Sequence, residues 1–298
     1  MSLADATGVA AIAEAVGVTA LRFADGSAAG TALDPTVVAA YLAGRHGGLG
    51  YVVDVPTTHH APYNVARRIL SLDRATAGRA GLVLRPGGGD EVSDAATPDP
   101  TAVDPAERWA EYTGIVTRLW GSFPRNALLG DQDAGLFVED SLVSPIDHDG
   151  RFYRVRGPLD GPSSVQGRPV LVAADVDAVG WDRVASVADI VVVGREQVAG
   201  ADAALAAALA GVGRRRGEVT LLGRAELAVT DPGAGQVLAS QLRSWAADQR
   251  LDGIELAVAG DAFAVTAALR AVIPHLGGRT GPTLRAALGS PVASAVPA

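Results

Sequence analysis

Seven short runs of β-type residues recur along the chain, each followed by an alanine- or valine-rich segment with helical spacing. No other feature constrains the fold as much. The runs are "VTALRFA" (18–24), "LGYVVDV" (49–55), "AGLVLRP" (80–86), "PVLVAAD" (169–175), "DIVVVG" (189–194), "EVTLLGR" (218–224) and "DGIELAV" (252–258). Several are almost continuously apolar, as parallel strands covered on both faces must be. Helical segments such as "LDPTVVAAYLAGRHG", "PYNVARRILSLDRATAG", "GWDRVASVA" and "GAGQVLASQLRSWAADQRL" lie between them. This alternation implies an α/β chain of βα units, either a TIM-type (β/α)8 barrel or an open doubly wound sheet, and the strand count favours the barrel.

A single domain over 1–298 is expected, since 48% hydrophobic content supplies a sizeable core. One excursion, 87–168, breaks the alternation between the third and fourth runs and reads as an insertion covering one end of the barrel. It opens with "GGGDEVSDAATPDPTAVDP", a loop by composition. A helix follows at "PAERWAEYTGIVTRLWGSF", with Pro105 in its first turn and Trp109, Ile115 or Val116, Leu119 and Trp120 as its apolar face. "PIDHDGRFYRVRGP" then reads as a β-hairpin turning at Asp149-Gly150. The tail 287–298 is expected to be loosely held. The sequence begins with a helical segment, and seven strands are counted where a closed barrel has eight. The first strand is therefore expected to be missing, with the flanking strands pairing directly or a loop, tail or partner chain filling the gap.

Composition removes several chemistries. Cysteine is absent, which excludes disulfides, thiolate catalysis and cysteine-ligated metals. Lysine is absent too, so neither a Schiff base nor a Walker-type phosphate loop can form. No G-x-G-x-x-G or G-x-S-x-G occurs. The formal charge of −8, with 25 basic and 33 acidic residues and no basic stripe, argues against nucleic acid as a partner. No apolar run approaches the roughly 18 to 20 residues of a membrane span, and the start lacks signal-peptide features, so a cytoplasmic location is expected.

Two long motifs carry a family resemblance. "PYNVARRILSLDRATAGRAG" (62–81) and "IDHDGRFYRVRGPLDGPSSVQGRPVLV" (146–172), together with "TRLW" and the closing "DGIELAV…FAVTAALRAVIPHLGGRTG", resemble the nitrilotriacetate monooxygenase branch of the bacterial luciferase-like flavin monooxygenases. The resemblance implies a barrel with FMN at the C-terminal ends of its strands. Reduced flavin from a separate reductase would react with oxygen and transfer one atom to a small organic substrate. Some relatives in the wider superfamily use F420 instead, and homodimers are common.

The resemblance also implies site residues. Asp25 matches an aspartate beside the isoalloxazine, with a turn cap as its alternative role. Thr57 and Thr58 lie where a flavin-contacting hydroxyl is expected. Arg85 falls in 81–87, "GLVLRPG", where the family carries Asn, Thr and Ser. Pro105 and Trp109 replace a His-x-x-x-Tyr pair that reaches toward the flavin. Asp175, Val176 and Asp177 replace a Gly-Ser-Ser type turn that takes the FMN phosphate. Two carboxylates there would repel a dianion, and Arg85, Arg151 or Arg154 could compensate.

"VPTTHHAPYN" (55–64) places His59 and His60 at the end of a strand, the face where barrel active sites form. Alternation lets only one of them face a pocket. One imidazole either stacks on or hydrogen-bonds a ligand ring, which makes the pair the candidate catalytic residues, or both cap the turn into the next helix. No metal site is expected, since no further ligand follows at helical spacing. Three functions remain: an FMN-dependent monooxygenase working with a reductase, a flavin-free homologue acting as a binding or partner subunit, and an F420-dependent oxidoreductase.

Overall fold

The computed structural model describes residues 2–24, 33–58, 60–87, 97–227 and 232–291. Seven parallel strands form one sheet in sequential order: β1 (Ala20–Phe23), β2 (Gly50–Pro56), β3 (Ala80–Arg85), β4 (Val170–Ala173), β5 (Ile190–Val193), β6 (Thr220–Leu227) and β7 (Gly253–Val258). Each expected run contains or overlaps one of them. Helices α1 (Leu3–Ala15), α2 (Pro35–Ala43), α3 (Pro62–Ala75), α4 (Pro105–Gly121), α5 (Val176–Val179), α6 (Trp181–Val187), α7 (Ala201–Gly211), α8 (Gly235–Asp248), α9 (Ala262–Leu276) and α10 (Leu284–Ala287) complete the main elements.

The sheet curls strongly. Laid flat, seven strands about 4.8 Å apart would hold the first and last roughly 29 Å from each other. Instead Arg22 on β1 donates to both carboxylate oxygens of Glu255 on β7 at 3.0 Å. Direct pairing of the two edge strands, one of the expected closures, does not occur, because a space remains that backbone hydrogen bonds cannot cross. Side chains cross it inside, while α1 packs against α9 outside. At the base Thr19 accepts from the Arg279 N–H at 3.2 Å and donates to its carbonyl at 3.0 Å.

Two apolar layers sandwich the sheet. Outward side chains such as Tyr51, Val53, Leu82, Leu171 and Val191 pack on the helices. Inward ones, Val52, Val83, Val170, Val172, Ile190 and Val192, pack on one another and on Leu284 of α10, which plugs the base. Gly50 and Gly81 make that plug possible: a Cβ on Gly50 would lie 2.6 Å from Leu284 Cδ1, and one on Gly81 3.4 Å from Cδ2.

Long-motif residues meet beneath this plug. Asp73 accepts from the Ala80 N–H (2.9 Å) and from Gln166 (2.6 Å), whose carbonyl oxygen accepts from the Arg285 N–H (3.2 Å). Asp189 accepts two bonds from Arg168 (2.7 and 2.9 Å), two from Arg285 (2.8 and 3.0 Å) and one from the Leu171 N–H (2.8 Å). Burial lifts the Asp73 carboxyl to about 6, against the pull of its hydrogen bonds. Its protonated form is thus favoured by folding, so this contribution to stability is complete below about pH 4 and is lost as pH rises through 6. We expect Asp73→Asn, which keeps the acceptor, to flatten stability between pH 4 and 6 by up to roughly 3 kcal/mol, measured by urea denaturation across pH. An unchanged profile would refute the assignment.

Between β3 and β4, α4 begins as the sequence suggests: Asp104 caps the Ala106 and Glu107 N–H groups and Pro105 occupies the first position. Trp109, Ile115, Val116, Leu119 and Trp120 are all buried. The hairpin pairs His148–Asp149 with Arg154–Val155, so its turn runs 150–153 rather than at Asp149-Gly150, because Glu111 accepts the Phe152 and Tyr153 N–H groups. A second ribbon, Leu128–Asp131 with Leu136–Val138, has no counterpart in the sequence reading. Leu288 accepts from Thr220, whose hydroxyl also bonds Ser290, so the chain is held as far as this point; the rest of the expected tail, 292–298, lies outside the described residues. Among the described residues no helix is long and apolar enough to cross a membrane.

Candidate functional site

The C-terminal ends of the seven strands gather at one mouth, the face on which barrel enzymes build their sites. An ordered chain of opposite charges crosses it. Arg224 (β6) donates to Glu255 (β7) at 3.4 Å, and Glu255 takes Arg22 (β1) across the sheet gap. Arg22 also grips Asp54 (β2) with two bonds of 2.7 and 2.9 Å. Asp54 accepts from Arg85 (β3) at 3.3 Å, and Arg85 donates to Asp175, just beyond β4, at 2.9 Å. Three guanidinium groups alternate with three carboxylates, leaving no net charge.

Strand geometry explains the alignment. Arg22 is in register with the inward-facing Val52, and Arg224 with Glu255, so these side chains share the inward face of the sheet. Asp54 is 1% exposed and its partner Arg22 12%. An unpaired carboxylate at that depth would be costly, and the guanidinium contacts offset it.

Thr57 and Thr58 directly follow β2 at the mouth, and both are buried. The Thr57 N–H donates to the Arg85 carbonyl (3.0 Å) and its carbonyl accepts from the Tyr153 hydroxyl (3.1 Å). Its own hydroxyl is buried without a partner among the described residues. Thr58 lies so close to Gly87 that a Cβ there would stand 2.8 Å from its Oγ1. His60 is half-buried, and its carbonyl accepts from Tyr112 at 2.7 Å. Its imidazole also acts on Asp34, the cap of α2: burial pushes that carboxyl up, but Thr36, Arg68 and His60 together hold it low. Asp25 and His59 lie outside the described residues.

Trp109 is buried and donates its indole N–H to the Leu84 carbonyl at 2.7 Å, so the ring packs behind β3 rather than opening to the mouth. Val176 is buried, and Asp177 accepts from Gln197. Arg151 is committed to Asp99 and Glu107, and Arg154 to Asp149. Neither arginine adds an uncompensated cation to the mouth.

The fit to FMN can be tested on these contacts. The turn implied for its phosphate presents Asp175, and the neighbouring guanidinium of Arg85 is already neutralised by that carboxylate and by Asp54. A carboxylate about 4 Å from a phosphate charge costs roughly 1 to 4 kcal/mol at an effective dielectric of 80 to 20. The residues present do not fit a phosphate dianion there.

Arg22, Asp54, Arg224 and Glu255 escaped the sequence reading. Their signal was a charge at an inward position of an otherwise apolar strand: "ALRF", "YVVDV", "LLGRAEL" and "IELAV".

Comparison with known proteins places these features in a family. Residues 1–271 match the family model described as luciferase-like monooxygenase. Nitrilotriacetate monooxygenase component A of Aminobacter aminovorans is 33% identical over 171 residues, 56% of this chain and 37% of that protein. One of the subunits of the pristinamycin IIA synthase of Streptomyces pristinaespiralis is 33% identical over 186 residues, 60% of this chain and 62% of that one. The chain therefore spans between about a third and two thirds of the length of these relatives. A solved riboflavin lyase, with modified FMN and substrate riboflavin, shares the fold at a TM-score of 0.82 and 21% identity over 98% of this chain and 90% of that one. With its curled seven-stranded sheet and a family match over most of its length, the chain belongs to the luciferase-like monooxygenase family.

Proposed function

We propose that this chain is a luciferase-like barrel whose mouth no longer seats the FMN phosphate, and that it serves as a ligand-binding or partner subunit in a flavin monooxygenase system. The observation that carries this reading is the continuous ion-pair chain from Arg224 to Asp175, which pairs Arg22, Arg85 and Arg224 with carboxylates of the chain itself. Trp109, turned into the core behind β3, supports it. So does a relative whose name makes it one part of a multi-subunit synthase.

A specific observation favours a second reading. Among the described residues the Thr57 hydroxyl is buried and unpartnered, at the strand end where the resemblance implies a flavin contact. An FMN-dependent monooxygenase of the nitrilotriacetate branch, supplied with reduced flavin by a reductase and acting on a small organic molecule, would use it. An F420-dependent oxidoreductase would share the fold while needing its own anion site. Homodimerisation is proposed on family grounds alone.

Anaerobic titration with FMN, oxidised and then photoreduced, separates the readings. Under the first, no binding occurs below hundreds of micromolar in either redox state. Low-micromolar binding of reduced FMN would overturn it and establish the second.

A further inference from the structure

We infer that Asp175 makes this mouth refuse phosphate, by locking Arg85 rather than by repulsion alone. This rests on the preceding reading and assigns its cause to one residue. Arg85 and Asp175 meet through one hydrogen bond, Nη2 to Oδ1 at 2.9 Å, and one ion-pair contact not aligned as a hydrogen bond, Nε to Oδ2 at 2.5 Å. On its other side Arg85 reaches Asp54 only at 3.3 Å, and the two oxygens of Asp54 are taken by Arg22 at 2.7 and 2.9 Å. Asp175 is therefore the stronger partner of Arg85. Without it, the guanidinium keeps one long contact to a carboxylate already satisfied.

Arg85 is 41% exposed, so a ligand can reach it. A planar guanidinium released beside the strand ends suits the oxygens of a phosphomonoester. In the native chain that group is already paired with the carboxylate beside it, so an arriving dianion finds no uncompensated cation there. The ligand class refused is the phosphorylated flavin; one without the phosphate meets no such penalty.

The selectivity ratio tests this directly. FMN and riboflavin are titrated against the native chain, Asp175→Ser and Asp175→Ser/Arg85→Met at one fixed salt concentration, with circular dichroism confirming that each variant is folded. Asp175→Asn serves as a second single variant should the Ser form not fold. The native chain is expected to show no preference for FMN. The single variant is expected to raise the FMN-to-riboflavin affinity ratio at least tenfold, with the gain weakened by added salt and abolished by loss of Arg85.

The outcomes separate the two claims. A ratio unchanged by Asp175→Ser and Asp175→Asn, or no flavin binding by either variant, overturns the role of Asp175. So does a native chain that already prefers FMN. Equally tight native binding of both flavins overturns the partner-subunit reading while leaving the lock intact.

Discussion

Replacing Asp189 by Ala is expected to abolish cooperative folding, or to lower stability by at least about 3 to 5 kcal/mol, the cost of breaking a buried ion pair. Five hydrogen bonds converge on this carboxylate, four of them from two guanidinium groups. Arg285 is 2% exposed and Arg168 14%, so neither can recover its hydration once the carboxylate is gone. Burial pushes the Asp189 carboxyl up, but Arg168, Arg285 and the Leu171 N–H together hold it below the ordinary range. Its contribution is therefore present above the usual carboxylate range and lost as the medium becomes strongly acidic. Since domains retain only about 5 to 15 kcal/mol in total, the loss is a large fraction of the whole. Urea denaturation at neutral pH measures it. A midpoint equal to that of the native chain would show that these contacts carry no net stability. An all-apolar replacement, Asp189→Leu with Arg168→Met and Arg285→Leu, should recover much of the deficit because no buried charge is then left unpaired.

The second large effect is expected at Asp54. Asp54→Ala removes the carboxylate that joins β1 to β3 through side chains, leaving Arg22 with Glu255 alone and Arg85 with Asp175 alone. Because Arg22 is 12% and Arg85 41% exposed, water recovers part of the cost, and the loss should be about 2 to 3 kcal/mol. The pair also makes a sharper claim than a single variant can test. Arg22→Met combined with Asp54→Ala should destabilise by clearly less than the sum of the two changes, because each alone strands the other's charge. Strict additivity in thermal or urea denaturation would mean that the two side chains are neighbours without coupling.

Much of the architecture was legible because strands of a parallel sheet must be apolar on both faces. "YVVDV" and "IVVV" advertise themselves in this way, and each strand of the seven-stranded sheet falls inside an expected run or overlaps it. The ribbon at Leu128–Asp131 was not legible: its residues are largely exposed and show no alternation that burial would impose. Nor could the sequence show that Asp73, Gln166 and Arg285 converge, since 93 residues separate the first two and 119 the last two. At the mouth, Asp175 was singled out as a carboxylate that would repel a phosphate and Arg85 as a cation that could compensate, and the structure pairs the two with each other. Arg22 and Asp54 were hidden because a single charge in a strand reads as an ordinary surface position until the sheet curls it inward.

That curl leaves β1 and β7 with one backbone neighbour each among the described residues, facing across an interval that Arg22 and Glu255 bridge. Unsatisfied edges of this sort invite other chains to add to them. Here the invitation is withdrawn from within, because Arg22 and Glu255 stand inside the interval and any strand sliding in would have to part them and bury both charges. The clasp that finishes the ring is thus also its guard against mistaken company.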